Sequence, residues 1–306
     1  MGTHRKRDQA VSQLVDLSDH QQVLEEVQII TRLILPSFDF QYVISVFEDV
    51  ETLFRGEYPG YRACNLEYHD ISHTHQVLLG TLRLMHGAFI SGIRFSEKEI
   101  NIALIGALMH DTGYLQESSD ETGTGAKYTL IHIQRSIGFI HKYFAGNACF
   151  EDSIPDFTDI LNCTGLMTKT TGIKFSSSNI SLLGKMLGTA DLLEQMSDRF
   201  YLEKLLFLYM EFQEAGIQGF TSEFNLLEKT LGFYEMTRKR FVDELGSVNN
   251  YAILHFRKRW HIDRDLYMDA INSNIEYLKK LLLDHRDDYL SFLRRGELTR
   301  KFRELR

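Results

Sequence analysis

Three imidazoles fall within seven residues in Tyr68-His69-Asp70-Ile71-Ser72-His73-Thr74-His75, and two later stretches answer them, His110-Asp111 and then Asp191. Neutral imidazoles combined with carboxylates form the donor set of a divalent metal ion. His73, His110, Asp111 and Asp191 together offer two nitrogens and two carboxylates for that purpose. A helix brings residues four apart onto one face, so a helix across this stretch aims His69 and His73 into one space and turns His75 toward another surface. His69 is then left beside the ion as a proton-transfer group.

The order of these elements carries a resemblance. Tyr68-His69 with His73 four residues on, then Leu108-Met109-His110-Asp111-Thr112-Gly113, then Gly188-Thr189-Ala190-Asp191-Leu192, resembles the HD superfamily of metal-dependent phosphohydrolases in its sequence of His, His-Asp, Asp. The first element is similar to the Tyr-His-Asn/Asp-x-x-His signature of cyclic-nucleotide phosphodiesterases, distant members of that superfamily. The resemblance spans roughly residues 40–205. It implies an HD-type helical bundle in which His73, His110, Asp111 and Asp191 hold a divalent metal ion, one or two of Mn, Mg, Zn, Ni or Fe. It also implies a catalytic pair, Asp111 at the metal and His69 as general acid to the leaving oxygen of a phosphate ester. Several dinuclear relatives place another site histidine on a following helix, where His132 lies, as a second-metal or phosphate-side residue; in such relatives the aspartate of the His-Asp pair bridges two ions.

The chain departs from the phosphodiesterase pattern in two places. Tyr114 stands where that pattern has a histidine, and Leu130-Ile131-His132-Ile133 stands where it has Glu-Asn-His-His. The Glu-Asp element of alarmone hydrolases is not evident. Three classes of function follow: a hydrolase of a nucleotide or cyclic nucleotide, a catalytically silent HD-type module that organises partners, and a di-iron oxygenase.

The elements that must position these residues read as helices. Only Pro36, Pro59 and Pro155 interrupt 306 residues, and Leu, Ile, Phe and Met recur at helical spacing, which predicts an all-α fold in a single domain. We expect a core at about 40–205, an N-terminal helical arm at 1–39 that packs on it or joins a homodimer, and a C-terminal extension at 206–306 that forms the pocket's outer wall. Helices are predicted over about 40–54, from the histidine stretch to near Gly87, after the capping box Ser96-x-x-Glu99, over 129–144, over 157–166 and from Ile180. The last of these carries Gly184, Gly188, Asp191 and Gln195 along one face. The polar stretch 114–127 reads as a lid over the site or an ordinary surface loop.

A net charge of -8 argues against wrapping a nucleic-acid backbone, which needs a basic field. Arg238-Lys239-Arg240 and the basic run 255–261 read as solvated helix faces. Three cysteines without a CxxC pair suit a reducing compartment, and neither a secretory h-region nor an apolar run of about 20 residues is visible. Lys6 breaks the myristoylation pattern after Met1-Gly2. The expectation is a cytoplasmic protein with no membrane partner, acting on a small phosphorylated molecule.

Overall fold

The computed structural model describes residues 10–305; the reading of Met1-Gly2 and Lys6 lies outside them. The helices start where the sequence offers hydrogen-bond acceptors to free N–H groups. Asp19 caps α1 (His20–Ile34), Asp70 caps α3 (Ile71–Ile90), and Ser96 with Glu99 closes a full capping box on α4 (Glu97–Met109). Between them, α2 (Gln41–Arg55) ends at Gly56, whose φ of +75° and whose closeness to the Ala63 backbone both require glycine. The chain continues through α5 (His132–Tyr143), α6 (Ile154–Asn162), α7 (Ser178–Ser197) and α8 (Tyr201–Glu214). It closes with α9 (Glu223–Asp243), α10 (Tyr251–Trp260), α11 (Leu266–Asp284) and α12 (Leu298–Leu305). The fold is all-α: among the described residues there is no strand, and Tyr61 and Glu117 form an isolated antiparallel bridge.

Boundaries differ from the sequence reading where a cap or a short turn intervenes. The arm splits into a 3-10 turn at Val11–Gln13 and α1. Helix α5 begins at His132 rather than 129, because the preceding residues form a 3-10 turn at Gly125–Tyr128. Helix α6 begins at Ile154, with Pro155 in its first turn where no N–H is needed, and stops at Asn162.

One helix organises the packing. From His73 to Ala88 every residue of α3 is buried, and such a helix must be covered on all sides. It is enclosed by α1, α4, α7 and α10. The main apolar core runs from Val11 through α3, α4 and α7 to Phe302, and a small separate cluster joins Leu66, Tyr114 and Ala126. No helix among the described residues is long and apolar enough to cross a membrane.

Close backbone contacts bring the inner helices together. A Cβ at Gly87 would stand 1.9 Å from the Tyr251 carbonyl oxygen of α10, and one at Gly188 would stand 2.3 Å from the Cys163 carbonyl oxygen just after α6. Gly188 lies one turn before Asp191, so this contact sets how far α7 reaches toward the histidines. Replacing Gly188 with Ala should push α7 off α6 and cost about 1–3 kcal/mol, read as a lower midpoint in urea unfolding. An unchanged midpoint would mean that the Cys163 turn yields without strain.

Candidate metal centre

His73 sits in the first turn of α3, His110 follows α4, Asp111 comes next, and Asp191 lies within α7. One ligand atom from each of His73, His110 and Asp111 falls within 4.8 Å of the others, and all three residues are buried. His110 Nε2 is 3.2 Å from Asp111 Oδ2, and His73 Nε2 is 3.6 Å from the same oxygen. Asp191 reaches the group through His73, with Oδ1 at 3.1 Å from Nε2, but stands outside the compact trio. His132, at the start of α5, places Nε2 3.8 Å from Asp111 Oδ1.

The tautomers suit a cation. His110 Nδ1–H donates to the Ala107 carbonyl at 2.8 Å, which leaves Nε2 as the acceptor nitrogen. That nitrogen is buried and has no hydrogen-bond partner, since its approach to Asp111 lacks hydrogen-bond geometry. His132 repeats the arrangement, donating from Nδ1 to the Thr129 carbonyl at 2.6 Å. A buried imidazole nitrogen without a partner beside a buried carboxylate fits a metal ion, and this His-His-Asp group could hold one.

Helix α5 clamps the turn that carries His110 and Asp111. Ser136 Oγ donates to the His110 carbonyl at 2.6 Å and accepts the Gly113 N–H at 2.8 Å. Arg135 donates to the carbonyls of Gly113 and Leu115 at 2.6 and 2.8 Å. Gly113 makes the approach possible, because a Cβ there would stand 1.9 Å from the His132 carbonyl oxygen.

His69 and His73 do not share a helix as the spacing suggested. Asp70 is the N-cap, its carboxylate accepting the His73 N–H at 2.8 Å, so His69 stands before the helix begins. The two rings are nevertheless 6.1 Å apart, centre to centre. His75 does turn away, stacking on Phe47 and lying 2.7 Å from Glu51.

Glu211, which the sequence reading did not single out, and Tyr114, which it named as a departure from the phosphodiesterase pattern, complete the setting of His69. Glu211, on α8, accepts His69 Nδ1–H at 2.7 Å and the Tyr68 N–H at 3.0 Å. Tyr114 is stacked between His69 at 4.3 Å and His132 at 4.5 Å, with its hydroxyl 3.4 Å from His69 Nε2. Tyr68 OH in turn donates to Gln195 of α7 at 2.7 Å. The signal for Glu211 was present as a carboxylate between Met210 and Phe212, in an otherwise apolar stretch of α8. The stretch after Tyr114 is tied down: Lys127 pairs with Asp120 at 2.6 Å, Gly125 N–H donates to Asn65 at 3.0 Å, and Glu214 accepts from Thr124.

The electrostatics of the cluster are set by burial and by its carboxylates. Burial alone would lower His110, but Asp111 and then Asp191 outweigh it and raise the imidazole to about 9. Burial would raise Asp111, and His110 beside it holds the carboxyl far below the usual range instead. His69 is raised, burial being overcome by Glu211; His132 is lowered, because burial there outweighs Asp111.

No protein-family model matches the chain, and no curated protein matches it.

An ion that binds His110 must compete with the proton that the nearby charge of Asp111 favours on the imidazole. Divalent-metal affinity should therefore rise with pH up to about 9, with proton release on binding at pH 7. Calorimetry in buffers of different ionisation enthalpy reads this directly. Affinity that stays flat from pH 6 to 9, with no proton released, would contradict the assignment of His110 as a ligand.

Proposed function

We infer that the chain is a metal-dependent phosphohydrolase of the HD type, cleaving a phosphate ester of the nucleotide or cyclic-nucleotide class. The observation that carries this reading is the pairing of His69 with Glu211 beside the His73, His110 and Asp111 trio. His73, His110, Asp111 and Asp191 would hold the ion. An ion bound by these residues would supply Lewis acidity toward a phosphoryl oxygen and toward water near neutral pH. His132 faces the other oxygen of Asp111, where it would ligate a second ion or contact the phosphate.

His69 supplies the proton. Its Nδ1–H is committed to Glu211, so Nε2 is the nitrogen that serves the leaving oxygen. Glu211 favours the imidazolium, the form that a general acid needs. Tyr114 and Tyr68 hold the ring's plane and its backbone, which keeps Nε2 directed while the phosphorus–oxygen bond breaks.

A third imidazole also favours a second reading, a di-iron oxygenase, since His132 adds a nitrogen beside Asp111. Elemental mass spectrometry separates the two: two irons per chain with a visible-region absorption band would favour the oxygenase. One or two other divalent ions, lost in the His110→Ala/Asp111→Ala double variant, would favour the hydrolase. No metal after incubation with excess divalent ions would sink both and leave a silent interaction module.

For the hydrolase, His69→Gln should lower kcat on nucleotide substrates by about 10²–10⁴-fold while the metal content holds. Glu211→Gln removes the group that raises His69, so the alkaline limb of the pH–kcat profile should move to lower pH. A limb that stays in place in that variant would remove His69 from the role of general acid.

A further inference from the structure

A cavity of about 660 Å³ lies beside the metal centre and contains none of the histidine cluster. Its walls are the 11–18 segment, one stripe of α3, and the turn from α7 into α8. The α3 stripe is Ser72, Gln76, Leu79 and Arg83, about a quarter turn around the helix from His73. The volume is within the range of roughly 300–1,000 Å³ that small-molecule sites occupy.

The lining is charged but compensates itself. Lys204 Nζ lies 3.1 Å from Asp198 and 3.7 Å from Asp70, and Arg83 lies 3.5 Å from Glu194 while donating to Tyr267 at 2.8 Å. Burial pushes the Glu194 carboxyl up to about 7, with Arg83 opposing. Asp16 and Arg199 add one charge of each sign at the exposed side. A ligand of high charge would meet repulsion from one part of this wall or another, whereas a neutral polar ligand meets hydrogen-bonding groups throughout.

Two features narrow the class. Gln76 is only 6 % exposed, and its side-chain amide has no protein hydrogen-bond partner among the described residues, which leaves it open to the cavity. An amide presents one donor edge and one acceptor edge, the pattern that reads the edge of a nucleobase. Phe200 supplies a half-buried aromatic ring in the same wall, and Ser72, Ser197 and Asp16 offer groups for sugar hydroxyls.

We propose that this cavity is a second ligand site, distinct from the metal centre, that binds an uncharged nucleoside through the amide of Gln76 and the ring of Phe200. The site does not depend on the chemistry assigned to His69.

The test is titration calorimetry on the full chain with adenosine, guanosine, cytidine and uridine. At least one should bind saturably with one-to-one stoichiometry. Gln76→Leu should weaken that nucleoside by about tenfold or more, as loss of a buried hydrogen-bonding partner does. Phe200→Leu, at the half-buried rim where folding is least at risk, should weaken it too. Absence of binding by all four nucleosides at millimolar concentration would overturn the proposal. So would parental affinity in both Gln76→Leu and Phe200→Leu.

Discussion

A carboxylate buried as deeply as Asp111, 5 % exposed, needs positive charge at close range, and the architecture around it answers that need. His110, His73 and His132 present nitrogens to its two oxygens from three different segments. Each ring is oriented from behind. His110 and His132 donate to backbone carbonyls three residues earlier, and His73 is set by the Asp70 cap at the start of α3. Removing the carboxylate would leave inward-facing nitrogens without a common centre, which is why the rest of the site is best understood from Asp111 outward.

Holding three segments on one carboxylate requires backbones to approach more closely than side chains usually allow. Glycine meets that requirement at Gly113, where α5 comes against the His-Asp turn, and at Gly188, where α7 meets the turn after α6. The clamp from Ser136 and Arg135 then satisfies the polar groups that the close approach would otherwise strand. Geometry at the site thus depends on packing some distance from it, through α3, whose burial on all sides fixes where its first turn can lie.

His69 is organised by a different principle. It lies outside the helix, so its orientation comes from contacts: Glu211 from α8 on one nitrogen, Tyr114 on its face, and the Tyr68 backbone joined to the same glutamate. An imidazole held this way keeps one nitrogen directed and the other engaged, the arrangement that proton transfer asks for. The His73, His110 and Asp111 group and His69 are therefore positioned by separate parts of the chain.

Helical spacing and the scarcity of proline made the all-α class legible from residue types alone, and the start of α4 with it, because Ser96 and Glu99 act on neighbours three residues away. The sequence also singled out His73, His110 and Asp111, since their residue types in that order are unusual in apolar surroundings. That Asp191 touches the group through His73 and stands outside the compact trio depends on how near α7 comes to α3, which no local signal encodes. The same holds for Glu211 and Tyr114, whose roles come from contacts across 142 and 45 residues of chain. Local signals reach about one turn of helix, whereas the partner of a buried charge is chosen by whichever segment the whole core brings beside it.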